Sequence, residues 1–545
     1  MEICLYCRVL LNLQLNRKKF NVMNREYKPY PIGIENFEDI IKGGFLYVDK
    51  TEYIYRLTQH KGYYLLCRPR RFGKSLLMST VQAFFEGKRE LFEGLAITKY
   101  DCDWEPMPVL HLNLAGTSMA SSEELKEIIA DQFRIWEKLY GVEDVSPNLK
   151  VRFKNIIKTA YERTGKQVVI LIDEYDCPLV AHLEDEDTKD SYREILKPIY
   201  SNLKACDRYI RMALLTGVSR FSRLSIFSDL NNLNDISMDD EFAAVCGITE
   251  QEMLNNCQYG IQKLANAEEM SYDEAVAELK ANYDGYHFAR QCPDIYNPFS
   301  LLKALSSKQI GDYWYATGTP TFLLKHIVSK GVDLREYLNS ESDNASLSSI
   351  DSDTGDIIPM MFQTGYLTIK SYDRKNRYYQ LGIPNTEVAK GLFSKLMPMY
   401  TGCDESQSKA FIRESARLLR DGKTDAFFTG LQTLLAGVSY ELTGKNSEIY
   451  FENNLYVIFA MLGFNVQTEY HTSDGRIDVL IRTPRYVYVI ELKLDATPET
   501  ALQQINDKHY EYQFRPIDPS DARRIIKVGV NFSTSTRNIT GWTIR

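Results

Sequence analysis

Short apolar runs alternate with longer amphipathic stretches through the first part of the chain. Four of these runs end in a polar or glycine-containing turn and predict buried strands, at residues 63–67, 109–114, 168–172 and 212–217. Residues 121–140 predict an amphipathic helix, because Ser121 and Glu124 form a capping-box pattern at its start. The alternation predicts an α/β domain whose parallel sheet is covered by helices on both faces.

After residue 235 the pattern becomes mainly helical, with apolar residues at helical spacing in residues 248–266 and 272–283. Residues 340–356 are rich in Ser, Asp and Asn and predict a flexible loop. The apolar runs 366–369 and 378–381 flank a polar turn and predict a β-hairpin. Helices followed by a hairpin indicate a small winged-helix-like module. Such a module either contacts nucleic acid or packs between domains, and the pattern alone does not specify which.

The last part of the chain follows the order helix, three strands, helix, strand. Residues 387–438, which precede it, are helical and mixed in charge and predict a connector. The predicted elements are a helix at 448–462, strands at 465–470, 476–482 and 486–494, a helix that begins at Thr497 and Pro498, and a strand at 525–530. The predicted division is an N-terminal extension (1–27), an α/β domain (28–235), a helical lid with a winged-helix-like connector (236–438) and a second α/β domain (439–545).

The composition is that of a multidomain protein without a membrane span. A chain of 545 residues exceeds a single ordinary core. The hydrophobic fraction is 44%, and no apolar run reaches the roughly 18 residues that a span needs. We therefore expect a cytoplasmic location and no membrane partner. The formal net charge of −8 argues against a uniformly basic surface, although local basic grooves and a nuclease activity are compatible with it.

A basic turn after the first predicted strand leads into Gly73, Lys74 and Ser75. In a phosphate-binding loop, backbone N–H groups at the start of the next helix face an anion, a lysine reaches the terminal phosphates and a serine hydroxyl ligates Mg²⁺. Lys74 and Ser75 have the residue types for these two roles. Arg68 stands where the usual pattern has a glycine, so the alternative is a chance Gly-Lys-Ser at a helix start.

The third predicted strand ends in two adjacent carboxylates, Asp173 and Glu174. The carboxyl ends of parallel strands are where α/β sheets bind ligands. Asp173 would hold the Mg²⁺ shell, and Glu174 would orient or deprotonate an attacking water. An ordinary solvated acidic turn is the alternative for this pair alone. The presence of Gly73, Lys74 and Ser75 in the same domain favours a nucleotide site.

Arg220 follows the fourth predicted strand, in the stretch 215–220. One hypothesis is that Arg220 acts as an arginine finger on a bound or adjacent nucleotide, while a polar residue of this stretch senses the γ-phosphate. The alternative is a surface or ion-pair role, which is the commoner use of an arginine after a strand.

A second set of chemical residues lies in the C-terminal strands. Asp478 lies within one predicted strand, and Glu491 and Lys493 lie on the next, where a separation of two places both on the same face. Two carboxylates can hold a Mg²⁺ ion that activates water, while a lysine orients the water or offsets developing charge. A buried ion pair of Lys493 with Glu491 or Asp478 is the alternative. The complete order of helices and strands favours a metal site for phosphodiester cleavage.

Motifs in the first half resemble those of the AAA-ATPase-like family of bacterial and archaeal proteins that carry a C-terminal nuclease-like domain. The resemblance rests on residues 30–34, 47–51, 68–75 and 215–220. In that family the Arg-Pro-Arg-Arg-Phe-Gly-Lys loop is the normal form, so Arg68 is no defect. The resemblance supports ATP binding more strongly than turnover. The expected nucleotide-binding residues are Arg71, Gly73, Lys74, Ser75, Asp173 and Arg220.

Residues 475–478 and 489–493 resemble the PD-(D/E)XK nuclease superfamily, and specifically the domain that accompanies the AAA-like domain. Ile477 stands at the superfamily's proline, a common variation that keeps the metal ligand at Asp478. Tyr510 fits the pattern too. The resemblance adds Gln504 at the family's glutamine position, and Glu448 as an additional acid that supports the metal. The expected catalytic residues of this domain are Asp478, Glu491, Lys493 and Gln504.

These observations lead to the hypothesis of an ATP-controlled, Mg²⁺-dependent nuclease, with ATP and Mg²⁺ as cofactors and DNA in preference to RNA as its substrate. The rival hypothesis is a nucleotide-binding sensor or regulator whose nuclease-like domain binds nucleic acid or a protein without cutting. A third hypothesis treats the phosphate loop as structural, with a nucleotide held without turnover. A homo-oligomer is compatible with all three, but no residue pattern establishes one.

Overall fold

The computed structural model describes most of the chain. The described residues are 27–115, 121–143, 146–180, 182, 185–220, 226–227, 230, 232–314, 321–348, 356–437, 447–462, 465–472, 475–514, 523–536 and 538–545. The predicted N-terminal extension lies outside them, apart from Tyr27. Contacts divide the chain into two compact units, which we describe separately: Met1–Ala316 with Glu341–Asn385, and Thr317–Ser340 with Thr386–Arg545.

The first unit contains a five-stranded sheet in which all neighbouring strands run parallel. Its strands are β1 (Gly62–Cys67), β2 (Val109–Asn113), β3 (Val168–Asp173), β4 (Ile210–Gly217) and β5 (Leu233–Asp235), in the spatial order β2-β3-β4-β1-β5. This confirms the predicted α/β fold. The sequence pattern missed β5, because a strand of three residues with one buried position is too short to show a periodicity.

The sheet positions the chemical residues along one edge. Each of the six residues of β3 is buried, as expected for a strand with both faces covered. The strand β4 separates β1 from β3. Because the strands are parallel, the loop after β1 and the acidic residues that end β3 lie at the same edge.

Helices surround this sheet and continue beyond it. Ser121 is the N-cap of the helix Ser122–Tyr140, as predicted, and its side chain accepts a hydrogen bond from the N–H of Glu124. The α-helices of the unit are Phe37–Lys42, Thr51–Thr58, Lys74–Phe85, Ser122–Tyr140, Leu149–Thr164, Cys177–Val180, Glu186–Tyr200, Asn202–Ala205, Glu250–Asn256, Gln258–Ala267, Tyr272–Tyr283, Pro298–Ser307, Asn344–Leu347 and Ile358–Thr364.

The predicted helix at 248–266 is wrong in its first residues. Two of them, Ile248–Thr249, form strand β6, which pairs antiparallel with β7 (Ile295–Tyr296). Thr249 is the N-cap of the helix that follows, in a reciprocal capping box with Glu252. The box satisfies free N–H groups at this position, so the helix begins after Thr249.

A three-stranded sheet completes the first unit, with the strands β8 (Glu341–Asp343), β9 (Thr368–Asp373) and β10 (Tyr378–Gly382) in the order β8-β10-β9. The pair β9 and β10 confirms the predicted hairpin. The prediction of a loop for 340–356 is wrong at β8 and at the helix Asn344–Leu347; residues 349–355 lie outside the described ones. In the helix Ile358–Thr364 all residues from Pro359 to Thr364 are buried, which supports a packing role for this helix.

The second unit is built on a mixed five-stranded sheet. Its strands are β11 (Asn465–Thr472), β12 (Gly475–Arg482), β13 (Tyr486–Leu494), β14 (Arg524–Ser533) and β15 (Asn538–Ile544). Adjacent strands in this order pair antiparallel, except for β13 and β14, which run parallel. The predicted elements are confirmed, and β15 is an addition. The helices are Thr321–Lys330, Leu334–Tyr337, Thr386–Thr401, Glu405–Arg420, Thr424–Ala436, Ser447–Met461 and Pro498–Asp507.

The helices that the structure describes include none with the length and apolar character that crossing a bilayer requires.

Candidate nucleotide and nuclease sites

The turn after β1 has the geometry of an anion-binding loop. Gly73 precedes the helix Lys74–Phe85 with φ 91°, and Arg71 has φ 69°, so both lie in the left-handed region. The N–H of Leu77 donates to the carbonyl of Gly73 at 3.0 Å, which is the start of the helical hydrogen-bond pattern. The N–H groups that come before Leu77 in this first turn are therefore without a helical partner. They form an anion site at the positive end of the helix.

Arg68 anchors this loop. Its guanidinium is buried, with the residue 1% exposed, and lies 4.4 Å from the centre of the Phe288 ring. It donates hydrogen bonds of 2.7–3.2 Å to the carbonyls of Cys67, Ser237, Phe242 and Ala243. Three of these carbonyls lie in the chain just after β5. The arginine that stands at the usual glycine position thus fixes the loop to a neighbouring segment of the unit.

Aromatic side chains hold the loop on another side. The buried Phe72 makes edge-on contacts with Tyr286 and Phe288, at ring-centre distances of 4.8 and 5.3 Å. The indole N–H of Trp314 donates to the carbonyl of Arg70 at 3.1 Å. Tyr286 and Phe288 therefore pack against the phosphate loop and support the site from this side.

Lys74 lies inside the site. Its side chain is 3% exposed, and its ammonium group lies 3.1 Å from the Glu174 carboxylate. It also donates to the carbonyls of Arg68 and Pro69, at 3.2 and 3.3 Å. Burial opposes the charge, but Glu174 and Asp173 raise the pKa of Lys74 above its ordinary value. The structure thus brings the predicted lysine of the loop together with the carboxylates that end β3.

Asp173 has an oxygen that suits a cation. Its Oδ1 accepts hydrogen bonds from the Thr216 hydroxyl and from the N–H of Glu174. Its Oδ2 is buried and has no hydrogen-bond partner among the residues that the structure describes. A buried carboxylate oxygen without a donor is an available ligand for a hard cation. Glu174 follows with φ 55°, a left-handed conformation that is strained for a glutamate and occurs preferentially at functional sites.

Asp176 was not among the predicted site residues, although it belongs to the same acidic turn. Its carboxylate accepts hydrogen bonds from the N–H groups of Val218 and Ser219, at 3.1 and 2.6 Å. Burial and the nearby Glu174 raise the pKa of Asp176 to about 7. A Cβ at Gly217 would lie 2.3 Å from Oδ1 of Asp176, so this glycine permits the contact. Asp176 thereby ties the end of β3 to the loop after β4.

Arg220 forms a buried ion pair, and its residue is 7% exposed. Its Nη2 lies 2.6 Å from Oδ2 of Asp235, and its Nε donates to the same oxygen at 2.7 Å. Its backbone N–H donates to Oε1 of Gln363 at 2.5 Å. The geometry supports the ion-pair interpretation of Arg220 over the arginine-finger hypothesis. Arg71 is exposed, and its guanidinium lies 5.1 Å from the centre of the Phe299 ring.

A small apolar cavity of about 80 Å³ adjoins the loop. It lies beside the first turns of the helix that Gly73 precedes, and the segment around Tyr47 forms part of its wall. The side chains that line it include Tyr47, Val48, Phe72, Leu76, Leu77, Cys246 and Leu302. The cavity therefore offers an apolar surface next to an anion site.

The second site lies where β12 and β13 diverge. Their pairing runs from Arg482 opposite Val487 to Val479 opposite Ile490, and Asp478 and Glu491 come next on the two strands. Oδ2 of Asp478 accepts a hydrogen bond from the N–H of Leu492 at 2.8 Å. The strands thus place the two predicted carboxylates side by side, as the sequence pattern required.

Glu491 is buried, with the residue 1% exposed. Its Oε1 accepts hydrogen bonds from the Gln504 amide and, at 3.2 Å, from the Lys493 ammonium group. Its Oε2 is buried and has no hydrogen-bond partner among the described residues. Burial and the neighbouring Asp478 raise the pKa of Glu491 to about 7. The structure therefore brings four predicted catalytic residues together: Asp478, Glu491, Lys493 and Gln504.

The site has fewer described ligands than a closed metal centre. Among the described residues, no group of three or more His, Cys, Asp or Glu side chains is placed to hold a metal ion. Glu448 lies in the helix Ser447–Met461, but its side chain is outside the described part, so its metal role stays a prediction. Tyr510 is buried in the core of this unit, and a Cβ at Gly475 would lie 2.7 Å from its hydroxyl oxygen. Asp478 and Glu491 suit Mg²⁺, which usually binds through one or two carboxylates and keeps several waters.

Gly529 is a positioning residue that the sequence analysis missed. It pairs with Glu491 across β14 and β13, and the helix Pro498–Asp507 lies directly over it. A Cβ at Gly529 would lie 2.1 Å from the carbonyl oxygen of Pro498. This close approach lets Gln504 reach Glu491. An isolated glycine inside a strand pattern was the available signal, because it often marks close backbone approach.

We expect Gly529→Ala to lower the free energy of unfolding by about 1–3 kcal/mol, because the added methyl group overpacks a rigid backbone contact. Denaturant titration of the full chain measures the change. Gly430→Ala is the matched control. Gly430 lies inside the helix Thr424–Ala436, and a Cβ there would meet only a side-chain carbon, at 3.7 Å. The control is expected to retain or gain stability. Equal stability of both variants would contradict the close-approach argument.

Two family models match the chain. The model described as "Predicted AAA-ATPase", of the AAA-ATPase-like family, matches residues 31–227. The model of the PD-(D/E)XK nuclease superfamily matches residues 446–542. These matches support nucleotide binding by the first region and nuclease-type chemistry by the second, and families of these kinds generally use a nucleotide and a divalent metal.

The chain is also similar to a protein of Azotobacter chroococcum mcd 1 named "Uncharacterized protein in vnfD 5'region". The two are 34% identical over 533 residues, which cover 95% of this chain and 99% of that protein. The similarity thus extends through both matched regions and the segment between them. The chain belongs to the AAA-ATPase-like family whose members carry a C-terminal domain of the PD-(D/E)XK nuclease superfamily.

Proposed function

We propose that this protein is an ATP-controlled, Mg²⁺-dependent nuclease that cleaves phosphodiester bonds, with DNA as its preferred substrate. The observation that carries the proposal is the buried Glu491 beside Asp478. One of its carboxylate oxygens has no hydrogen-bond partner in the described chain, while the other is held by Lys493 and Gln504. Burying a carboxylate in this way costs folding free energy, and such costs are typical of functional sites.

Each residue of this site would have its own role in cleavage. Asp478 and Glu491 would hold Mg²⁺, with Glu448 as a supporting acid. A metal bound there supplies positive charge for the phosphate and lowers the pKa of a bound water. Lys493 is 29% exposed at its side chain, so its ammonium group can contact both Glu491 and a bound phosphate or water. Gln504 orients Glu491 through its amide and so positions the metal ligand.

The first unit would bind ATP at the phosphate loop. The free N–H groups of the helix start and Lys74 would contact the phosphates, and Ser75 and Asp173 would hold the Mg²⁺ of the nucleotide. The unpartnered Oδ2 of Asp173 supports this role. The adenine base would occupy the apolar cavity beside Leu76. Glu174 would orient or deprotonate the water if the nucleotide is hydrolysed.

Cleavage of labelled single-stranded DNA, double-stranded DNA and RNA tests the proposal. The wild-type full chain is compared with Lys493→Ala, each with Mg²⁺ or EDTA and with or without ATP. We expect Mg²⁺-dependent cutting of DNA that ATP changes and that Lys493→Ala abolishes, because that variant lacks the charge next to the reacting phosphate.

Three outcomes separate the hypotheses. Cutting that Lys493→Ala does not reduce would point to a contaminating nuclease. Cutting that ATP does not change would remove the nucleotide control. An absence of cutting of every polymer, with ATP still bound and exchanging, would favour the sensor or regulator that binds without cleavage.

A further inference from the structure

The exposed end of the β9–β10 hairpin carries a cluster of positive charge in a chain whose formal net charge is −8. Three cationic side chains, Arg374, Lys375 and Arg377, lie in the turn that joins the strands, and all three residues are exposed. No acidic side chain among the described residues pairs with any of them. Unpaired cations grouped on one turn attract an anionic partner, since they lack an internal one.

The acidic residue of this turn is engaged by the backbone. The Asp373 carboxylate accepts hydrogen bonds from the N–H groups of Lys375 and Asn376, at 2.7 and 3.0 Å, and from the Asn376 amide at 2.8 Å. The carbonyl of Asp373 accepts from the N–H of Arg377 at 2.7 Å. Asp373 therefore shapes the turn through these contacts, and its carboxylate forms no described ion pair with the three cations.

The hairpin is held firmly at its other end. The hydroxyl of Thr368, at the start of β9, accepts a hydrogen bond from the N–H of His287 at 2.7 Å and donates to its carbonyl at 3.1 Å. His287 lies between Tyr286 and Phe288, whose rings contact Phe72 of the phosphate loop. A rigid base lowers the entropic cost of binding at the tip.

Aromatic side chains accompany the cations. Tyr378 follows Arg377 directly and is 44% exposed. The ring centres of Tyr372 and Tyr379 are 4.8 Å apart, with the rings tilted against each other. The Arg290 guanidinium lies 5.7 Å from the centre of the Tyr372 ring. A basic strip with an exposed aromatic ring is the chemistry that binds a nucleic-acid strand, in which phosphates meet the cations and a base stacks on the ring. Arginine also matches phosphate geometry with two parallel hydrogen bonds.

The buried helix of this module excludes the other common mode of contact. In helix-turn-helix proteins a recognition helix enters the major groove. The helix before the hairpin, Ile358–Thr364, is buried along most of its length, and Gln363 is bonded to Arg220 and to the carbonyl of Leu347. Base reading by this helix is therefore ruled out in this arrangement, whereas the turn of the hairpin, residues 374–377, is exposed.

We propose that the tip of the β9–β10 hairpin binds the phosphodiester backbone of a nucleic acid through Arg374, Lys375 and Arg377. The choice of polymer rests on the proposed nuclease function. The site belongs to the first unit and is separate in sequence from the cleavage residues. It binds by charge and stacking and is therefore without strong sequence preference.

Fluorescence anisotropy of labelled single-stranded and double-stranded DNA tests this proposal, with the full chain in EDTA so that binding is measured without cleavage. The variant carries Arg374→Gln, Lys375→Gln and Arg377→Gln. The control carries Lys138→Gln, Lys154→Gln and Lys204→Gln, which are exposed lysines on helices or their ends in the same unit. Both remove three positive charges, so the change in net charge is the same.

We expect the tip variant to bind DNA at least about tenfold more weakly, with the magnitude of the slope of log K against log salt lowered by about two to three. The control is expected to bind like the wild type. Wild-type affinity of the tip variant, or an equal loss in both variants, would overturn the proposal. If the wild type binds but never cuts, and only the tip variant loses binding, the nuclease function fails and the hairpin site stands. If the wild type cuts and the tip variant binds normally, the nuclease function stands and the hairpin site fails.

Discussion

We expect Glu491→Gln to lower the rate of nucleic-acid cleavage by at least about 10²–10³-fold, while the melting temperature stays the same or rises. The substitution keeps the shape of the side chain, and its carbonyl oxygen can still accept the hydrogen bonds that Glu491 receives from Gln504 and Lys493. It removes the negative charge that would hold the metal. It also removes the cost of burying that charge, which is why stability is not expected to fall.

The combination of readouts separates a metal site from a buried ion pair. If Glu491 served only as the partner of Lys493, the neutral variant would change stability and leave any cleavage intact. Cleavage rates with Mg²⁺ and thermal unfolding of the same preparation measure the two quantities. Glu499→Gln is the matched control, because Glu499 is exposed in the same unit and accepts a hydrogen bond from Thr543 at 2.8 Å. Undiminished cleavage by Glu491→Gln would contradict the assignment of Glu491 as a metal ligand.

The second large effect is expected from Lys74→Ala, which should weaken ATP binding by at least about 100-fold. The ammonium group of Lys74 is buried at the phosphate loop and is surrounded by two carbonyls and Glu174. Water screens a buried charge poorly, so the loss of a buried cation next to the phosphates removes several kcal/mol of attraction. Isothermal titration with ATP and Mg²⁺ measures the affinity.

The Lys74→Ala variant also leaves Glu174 without its cation, and breaking a buried ion pair costs about 3–5 kcal/mol of stability. The double variant Lys74→Met with Glu174→Gln removes both charges and keeps the volume, so it tests binding in a folded chain. Lys61→Ala is the control, because Lys61 forms an exposed ion pair with Asp207 that is worth little. Tight ATP binding by the folded double variant would contradict the assignment of the phosphate loop.

Much of the fold follows from local sequence patterns. The strand β13 begins and ends where the apolar run predicts, and the helix Pro498–Asp507 begins with Thr497 as its N-cap and Pro498 as its first residue. These features depend on residues that are neighbours along the chain. The separation of two between Glu491 and Lys493 likewise places both on one face of a strand, whatever lies around it.

Other features required contacts between distant parts of the chain. The three residues of β5 are a strand only because β1 lies beside them. The Arg68 guanidinium reaches carbonyls about 170 positions later, and the pairing of Arg220 with Asp235 depends on the order of strands in the sheet. Local sequence patterns do not identify such partners. The type of a residue shows which bonds its side chain can form, but not which distant residues lie near it in the fold.

The amino-acid sequence by itself determined which chemical groups are available. These are a lysine at a helix start, two carboxylates at the end of a buried strand, and two further carboxylates with a lysine on two later strands. Only the tertiary structure decided how they are used. It buried Glu491 and left one of its oxygens without a described donor. It also packed the helix Pro498–Asp507 against Gly529, and Gln504 of this helix holds the other oxygen. The physical reason is that burial and desolvation, which control the charge and reactivity of these groups, depend on packing between segments far apart in the chain.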